Sequence, residues 1–490
     1  MKNKRHYLAA ILCAGLVGCS QADDTFQQSS QGEVNLKFRF ETMASSSNEM
    51  TRSAETTGEL EEGTQNEWQV KSVIVYFFDA STKVFAKSIK LDGLAYKGTS
   101  DKLVTYTSNS ISVNPGRYDI FAVANSGEVI SASNEAQFLD NVDAQTYKTG
   151  SIPLPANGFV MSNRGNANLN TEINKPDNTG KDQIVDITLE RAVARLEVAT
   201  KQNTYELKST SDEVYATVNL DKCYYLNLPT KFYTFRHVAT LTSLTQPTWN
   251  VSANFTDIPD VNGYAIDPYF FNKTVDATGF TNADKYYANF ACNLKAANIP
   301  WSNLTTSYDD NIIYSLENCM IQSAQKNGYS TGVFFKASVT PKDNVLKAEG
   351  SSNVKAAPAE YPSKLYYFNY RFYTSIEALV NAGVAVNSAM TEDELLARDV
   401  KTLNGTDGVY DCYYKYWVRH LDNNNPTVMG IMEFGIVRNN LYRMKVVDIN
   451  GIGLGNINIL PDVQDEDETY IKVTLNVKPW IVRDNTNIIL

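Results

Sequence analysis

Two stretches near opposite ends of the chain alternate apolar and polar residues with a period of two. In EVNLKFRFETM, residues 33–43, Val34, Leu36, Phe38 and Phe40 fall on one side, and Asn35, Lys37, Arg39 and Glu41 on the other. In YIKVTLNVKPWIV, Ile471, Val473, Leu475 and Val477 alternate with Lys472, Thr474, Asn476 and Lys478. Successive side chains of a strand point to opposite faces, so each stretch describes a strand with one face in a core and the other in water. Segments of strand composition recur between them. WQVKSVIVYFFD, KLVTYTS, SISVNPGRYDIFAVANSG (with a turn at Pro115-Gly116) and IVDITLERAVARLEVAT come first. From about residue 203 the aromatic runs KCYYLNLP, GVFFKASVTP and KLYYFNYRFYT follow. The chain holds 29 tyrosines and 21 phenylalanines, residue types that favour strands. Short strands separated by turn signals predict an all-β chain built of sandwiches, not a helical or βαβ fold. One helical insert is expected, because Thr374 to Glu377 and Thr391 to Glu394 both fit the capping box, in which a hydroxyl and a carboxylate satisfy free backbone N–H groups.

The segment ASSSNEMTRSAETTGELEEGTQN, residues 44–66, has almost nothing to bury and reads as an exposed loop open to proteases. Upstream, Lys2, Lys4 and Arg5 precede an apolar run from Leu8 to Val17, too short for a membrane span of about 20 residues. This is the layout of an export signal. Leu16-Val17-Gly18-Cys19 resembles a bacterial lipobox, which makes Cys19 the expected acylated first residue of the exported chain and ties it to a membrane. Loss of residues 1–18 removes three basic charges and takes the net charge from −11 to −14. So acidic a chain has no electrostatic basis for binding nucleic acid or anionic lipid.

Chemistry is thinly represented. His237 and His420, the two histidines beyond the signal, lie in no HExxH or Gly-x-Ser-x-Gly context, so no catalytic residue is assigned. Cys223, Cys292, Cys319 and Cys412 lack metal-site spacing and read as small buried residues, their disulfide state left open. No metal and no cofactor are expected. GIGLGNINIL, residues 451–460, reads as turn glycines leading into a strand, and Asp465 to Glu468 as a solvated acidic loop. The terminus Ile488-Ile489-Leu490 is unusual, since most chains end in polar residues, and it predicts burial somewhere.

The phrases VIVYFFD, VNPGRYDIFAVANSG, GFVMSN, ITLERAVARLEV, MEFGIVRNNLYRMKVVDINGIGLG and VTLNVKPWIV occur in this order. Together they resemble the recurrent core segments of the Bacteroidales-type fimbrillins, subunits of type V pili, with the RNN-Y phrase and the Trp-containing last strand closer to the Mfa branch than to the FimA branch. The resemblance covers essentially the whole chain. It implies two tandem transthyretin-like β-sandwiches, here expected over residues 53–202 and 203–490. It also implies export as a lipoprotein at the outer membrane, then cleavage by an Arg-specific protease in the loop after the first strand. Arg52, the lone basic residue between Arg39 and Lys71, is then the expected scissile position and Ser53 the new N-terminus. Residues 19–52 would leave as a propeptide carrying a plug strand of Val34, Leu36, Phe38 and Phe40. The C-terminal tail of a neighbour, about residues 481–490, would refill the groove, with Val482, Ile488, Ile489 and Leu490 as anchors and Trp480 seating its base. Expected partners are other copies of the chain, head to tail, together with anchor and tip subunits. An anchor or tip adhesin of the same system, or an unrelated glycan-binding lipoprotein, is the alternative.

Overall fold

The computed structural model describes residues 32–42, 61–100, 103–144, 156–163, 168–174, 181–242, 249–252, 263–275, 280, 283–343, 346–347, 361–421, 423, 425, 428–465 and 470–482. The chain is all-β, with a few short helices, and most of its described strands form two sheet systems with separate cores, beside three small sheets of two or three strands.

The first system is one sheet of ten strands. Its members are β1 (Val34–Thr42), β3 (Ser72–Asp79), β4 (Phe85–Asp92), β5 (Ala95–Ser100), β6 (Leu103–Thr107), β7 (Ile111–Val113), β8 (Gly116–Ala124), β9 (Met161–Asn163), β10 (Thr171–Ile173) and β11 (Gln183–Arg191); β2 (Glu61–Gly63) belongs elsewhere. The main path is β4-β3-β8-β9-β11-β1-β6-β5, with β10 beside β8 and β7 beside β1. The sheet folds over on itself. Phe38 of β1 meets Phe77 of β3 edge to face at 6.2 Å, although the two strands stand far apart along the path. The shared core is Leu36, Phe38, Phe40, Val75, Phe77, Val104, Ile120, Met161 and Ile187. The alternation at 33–43 is thus the buried and exposed faces of a real strand.

IVDITLERAVARLEVAT, read as continuous strand, divides. After β11 the buried pair Ala192-Val193 carries the chain into β12 (Ala194–Thr200), which pairs in a different sheet. That strand lies before the boundary expected at 202/203, yet its neighbours are C-terminal. The second system sets two sheets face to face. One is ordered β2-β23-β22-β12-β15, with β15 (Ile312–Ser315), β22 (Asn440–Ile449) and β23 (Ile471–Val482). The other runs β13 (Thr204–Lys208), β14 (Val214–Leu226), β16 (Gly332–Pro341), β21 (Val409–Trp417), β20 (Lys401–Thr406), β18 (Lys364–Phe368), β19 (Arg371–Tyr373) and β17 (Leu346–Lys347). Leu196, Val198, Leu220, Val333, Phe335, Cys412, Tyr442 and Met444 fill the space between them.

Several local expectations change. Thr391 caps Glu392–Leu396 in the predicted capping box, its Oγ1 accepting from Glu394 N at 3.2 Å. The other helix, Ile376–Asn381, is capped by Ser375 and not Thr374, the Ser375 Oγ accepting from Ala378 N at 3.0 Å. Short helices also occur outside the insert, among them Gln65–Trp68, Glu135–Leu139 and Phe270–Val275. The glycines of 451–455 permit close packing and lead into no strand over 456–465: a Cβ on Gly455 would stand 1.5 Å from the Thr402 carbonyl oxygen, and one on Gly453 2.3 Å from that of Tyr413. Asp465 is not solvated. It is buried and accepts from Ser330 Oγ, and desolvation raises its carboxyl to about 7. Cys223, Cys319 and Cys412 are buried free thiols and Cys292 is half-buried.

Candidate assembly site

β1 is an interior strand held on both edges. It runs parallel to β11 from Leu36↔Gln183 to Thr42↔Leu189. On its other edge it is antiparallel to β7 (Val34↔Val113 to Leu36↔Ile111) and to β6 (Arg39↔Thr107 to Thr42↔Val104). Between those two partners Ser108 closes the ladder, its N–H donating to Phe38 O at 2.9 Å and its Oγ accepting from Phe38 N at 3.0 Å. Leu36, Phe38 and Phe40 have no exposed surface and Val34 retains 6%. The outward face carries ion pairs to β11 and its lead-in, Lys37 to Asp182 and Arg39 to Asp186, both at 2.6 Å. Such exposed pairs contribute little, so the strand is held by its ladders and its buried face. Four apolar side chains at roughly 1.5–3 kcal/mol each give a gross burial term of about 6–12 kcal/mol. Without β1, β11 would face β6 and β7 across a slot floored by Phe77, with Val104 and Ile187 on its flanking strands and unpaired N–H and C=O groups along both walls.

The C-terminal strand β23 pairs antiparallel with β22 as far as Asn440↔Pro479. Its last residues then pair in parallel with β2, Glu61↔Trp480, Glu62↔Ile481 and Gly63↔Val482. Trp480 and Val482 therefore stand in the backbone of a strand of their own subunit, opposite the segment that follows the Arg52 loop. Nothing in the sequence flags β2, since two glutamates and a glycine carry no strand pattern. Cys19, Arg52, Ser53, Ile488, Ile489 and Leu490 lie outside the described residues.

Where the two systems meet, the phrases ITLERAVARLEV and RNNLYRM supply a buried polar seam. Glu67, on the Gln65–Trp68 helix, is fully buried and receives Arg195 Nη1 at 2.9 Å and the Tyr314 hydroxyl at 2.6 Å. Arg195 also pairs with Glu197 at 2.5 Å, and Arg443 with the same carboxylate at 2.6 Å. Arg191 donates to Glu67 O at 2.9 Å and to Asn439 Oδ1 at 2.8 Å, and burial lowers its guanidinium to about 10. Arg438 pairs with Glu317 at 2.7 Å and donates to Tyr233 O at 2.8 Å, while Arg236 meets Glu190 at 2.8 Å. Tyr442, the tyrosine of RNN-Y, accepts from Val437 N and contacts His420 Nδ1, each at 2.8 Å. Burial lowers that imidazole to about 3, so it serves as a neutral hydrogen-bonding group. Sequence reading missed this seam because charged residues default to the surface. The spacing Glu190-Arg191 and Arg195-x-Glu197 inside an apolar run was the available signal. Among the described residues no cluster of three His, Cys, Asp or Glu side chains could hold a metal, and no helix is long and apolar enough to cross a membrane.

Two sequence profiles match the chain. One, described as fimbrillin-A associated anchor proteins Mfa1 and Mfa2, matches residues 27–260. The other, described as major fimbrial subunit protein type IV, fimbrillin, C-terminal, matches residues 406–486. Together they span well over half of the sequence. The chain is an Mfa-like fimbrillin. Solved structures similar to this fimbrillin include a fimbrilin (FimA) of Porphyromonas gingivalis W83, at 16% identity and TM-score 0.45, covering 92% of this chain and 99% of that one. A candidate cell adhesion protein of Parabacteroides distasonis gives 15% identity, TM-score 0.45 and coverage of 91% and 100%. The tip fimbrial protein Mfa3 of P. gingivalis gives 13%, 0.34, 90% and 99%. Comparison with curated proteins gave no match. As a fimbrial subunit protein, this fimbrillin belongs to a cell-surface appendage, in families whose role is structural.

Proposed function

We propose that this fimbrillin is a stalk subunit that polymerises by strand exchange. The precursor is lipidated at Cys19 and held at the outer membrane with β1 plugging its own N-terminal sandwich. An Arg-specific protease cuts after Arg52, and residues 19–52 leave with the lipid and the plug. The tail of a neighbouring copy, about residues 481–490, then enters between β11 and β6, adding backbone ladders on both sides and apolar anchors in the pockets of Leu36, Phe38 and Phe40. The observation that carries this reading is the position of β1, an interior strand whose removal would open two edges and an apolar floor at once. The contact is heterologous, so each addition leaves a new groove or a new tail free and a filament grows.

The profile describing anchor proteins favours a second reading, an anchor that keeps its lipid and ends the fibre at the membrane. Purified precursor treated with an Arg-specific protease separates the two. A stalk subunit yields an N-terminus at Ser53 and SDS-resistant ladders, whereas protein that is cut and stays monomeric refutes polymerisation. Deleting residues 481–490 removes the ladders and leaves a folded monomer; if the truncated chain unfolds, the tail serves its own sandwich and not a neighbour.

A further inference from the structure

Beside the short Phe270–Val275 helix, three polar side chains converge in a fully buried site. Lys273, on the Phe270–Val275 helix, and Asn318 are fully buried, and Asp267 keeps 1% of its surface. The Lys273 Nζ contacts Asp267 Oδ2 at 2.7 Å and Asn318 Oδ1 at 2.7 Å, and donates to Cys319 O at 2.9 Å. Each partner is locked. Asp267 accepts from Tyr269 N at 2.8 Å and from Cys319 N at 2.7 Å. The Asn318 amide nitrogen donates to Tyr329 O at 2.7 Å and Thr331 Oγ1 at 2.9 Å, and its backbone is bridged to Ile436 in both directions. The Tyr287 hydroxyl donates to Asn318 Oδ1 at 3.2 Å, and burial keeps that phenol protonated. The ring of the same tyrosine lies 5.8 Å from Nζ.

An amine held against a carboxamide, with a carboxylate on the amine and a phenol on the carbonyl oxygen, is the arrangement that an acyl transfer needs. We propose that Lys273 and Asn318 join in an intramolecular amide cross-link, with Asp267 as the proton carrier. A proton passes from the Lys273 ammonium to Asp267, leaving a neutral amine whose lone pair is free to attack. Nζ adds to Cγ of Asn318, and the oxygen that gains charge is the one already bonded to Tyr287. Asp267 relays the proton that Nζ sheds to the amide nitrogen. The Cγ–Nδ2 bond breaks, ammonia departs, and a Nζ–Cγ amide remains. Atoms balance with no oxidant, reductant or cofactor, because an amine and a primary amide become a secondary amide and ammonia. Fixing both partners in one dry pocket supplies the proximity that makes so sluggish an exchange feasible between side chains. The product ties the helix at 270–275 to the segment leading from β15 to β16, which also carries Glu317 of the buried seam. Its formation requires only the folded chain and is independent of strand exchange.

Mass spectrometry of the full chain, denatured after purification, decides the matter. The expected result is a mass below that of the unmodified chain by one ammonia, with a tryptic digest in which the Lys273 and Asn318 peptides are branched together and Lys273 is not cut. Asp267→Asn and Lys273→Arg should each abolish the branched peptide. The wild-type measurement stands on its own should either variant fail to fold. Separate, unmodified Lys273 and Asn318 peptides from folded wild-type protein overturn the proposal. So does a deficit of one water mapping to Lys273 and Asp267, or an ammonia deficit with no branched peptide.

Discussion

Phe38 offers the sharpest test of the plug, because cleavage would remove it from the mature subunit while its surroundings remain. Its ring is fully buried, stacks on Phe40 at 5.8 Å between centroids and meets Phe77 edge-on at 6.2 Å. Truncation in Phe38→Ala leaves a cavity between β1 and β3, at a cost of about 3–5 kcal/mol. For a unit of about 150 residues each kcal/mol moves the melting temperature by about 2–4 °C, so the N-terminal transition of the precursor should fall by about 6–20 °C in calorimetry. On the proposed cleavage, polymers made by cutting the variant would no longer contain residue 38, and their SDS-resistant ladders should dissociate at the wild-type temperature. Phe77→Ala, by contrast, damages the floor that plug and donor share and should weaken precursor and polymer alike. The reasoning fails if Phe38→Ala weakens the polymer as much as the precursor, for then β1 stays in the fibre. It fails equally if the precursor transition does not move.

Other outcomes follow from features further from the groove. Glu67→Ala strips one buried partner from Arg195 and Tyr314, and should cost about 3–5 kcal/mol in denaturant unfolding because Glu197 alone is left to pair with both Arg195 and Arg443. Gly455→Ala drives a methyl into the Thr402 carbonyl and should cost about 1–3 kcal/mol or more, read the same way. Asp465 holds its proton in the fold up to about pH 7, against 3.8 for an ordinary aspartate. The folded state therefore binds the extra proton between those values, so this group's contribution to stability declines as pH rises from about 4 to 7. His420, lowered to about 3, works in the opposite sense below about pH 6.5. The informative quantity is thus the stability difference between wild type and Asp465→Asn, which should decline as pH rises across that window and stay constant above it.

Much of the fold was legible because period-two patterns report a half-buried strand whatever its partners. The alternations at Val34–Phe40 and Ile471–Val477 became β1 and β23, and the Thr391 capping box became a helix start. Topology was not legible. β1 pairs with β11, a strand some 147 residues away at Arg39 and Asp186, and no local pattern encodes that partner. The run through ITLERAVARLEV hid a change of sheet because Ala192-Val193 is as apolar as the strands it joins and lacks a turn residue. Glu67, Lys273 and Asp465 were invisible for a different reason. A charged side chain is seldom buried unless a partner meets it, and partners here come from distant parts of the chain: Arg195 for Glu67, Asn318 for Lys273 and Ser330 for Asp465. The glycines at 453 and 455 were recognisable as special but not as spacers, since the backbones that crowd them belong to β20 and β21.

The passage from β11 to β12 has a mechanical meaning. β11 forms one wall of the slot that β1 occupies, and two residues later the same backbone is an interior strand of the second sandwich, flanked by β15 and β22. A pull on whatever fills the slot is thus delivered through a covalent path with no slack to take up before it reaches the next core. The polar seam around Glu67 and Arg438 clamps the two bodies at that crossing, so traction reaches a joint already stiffened against bending. A thread built from such units would stretch by failing at its non-covalent joints, not by paying out linker.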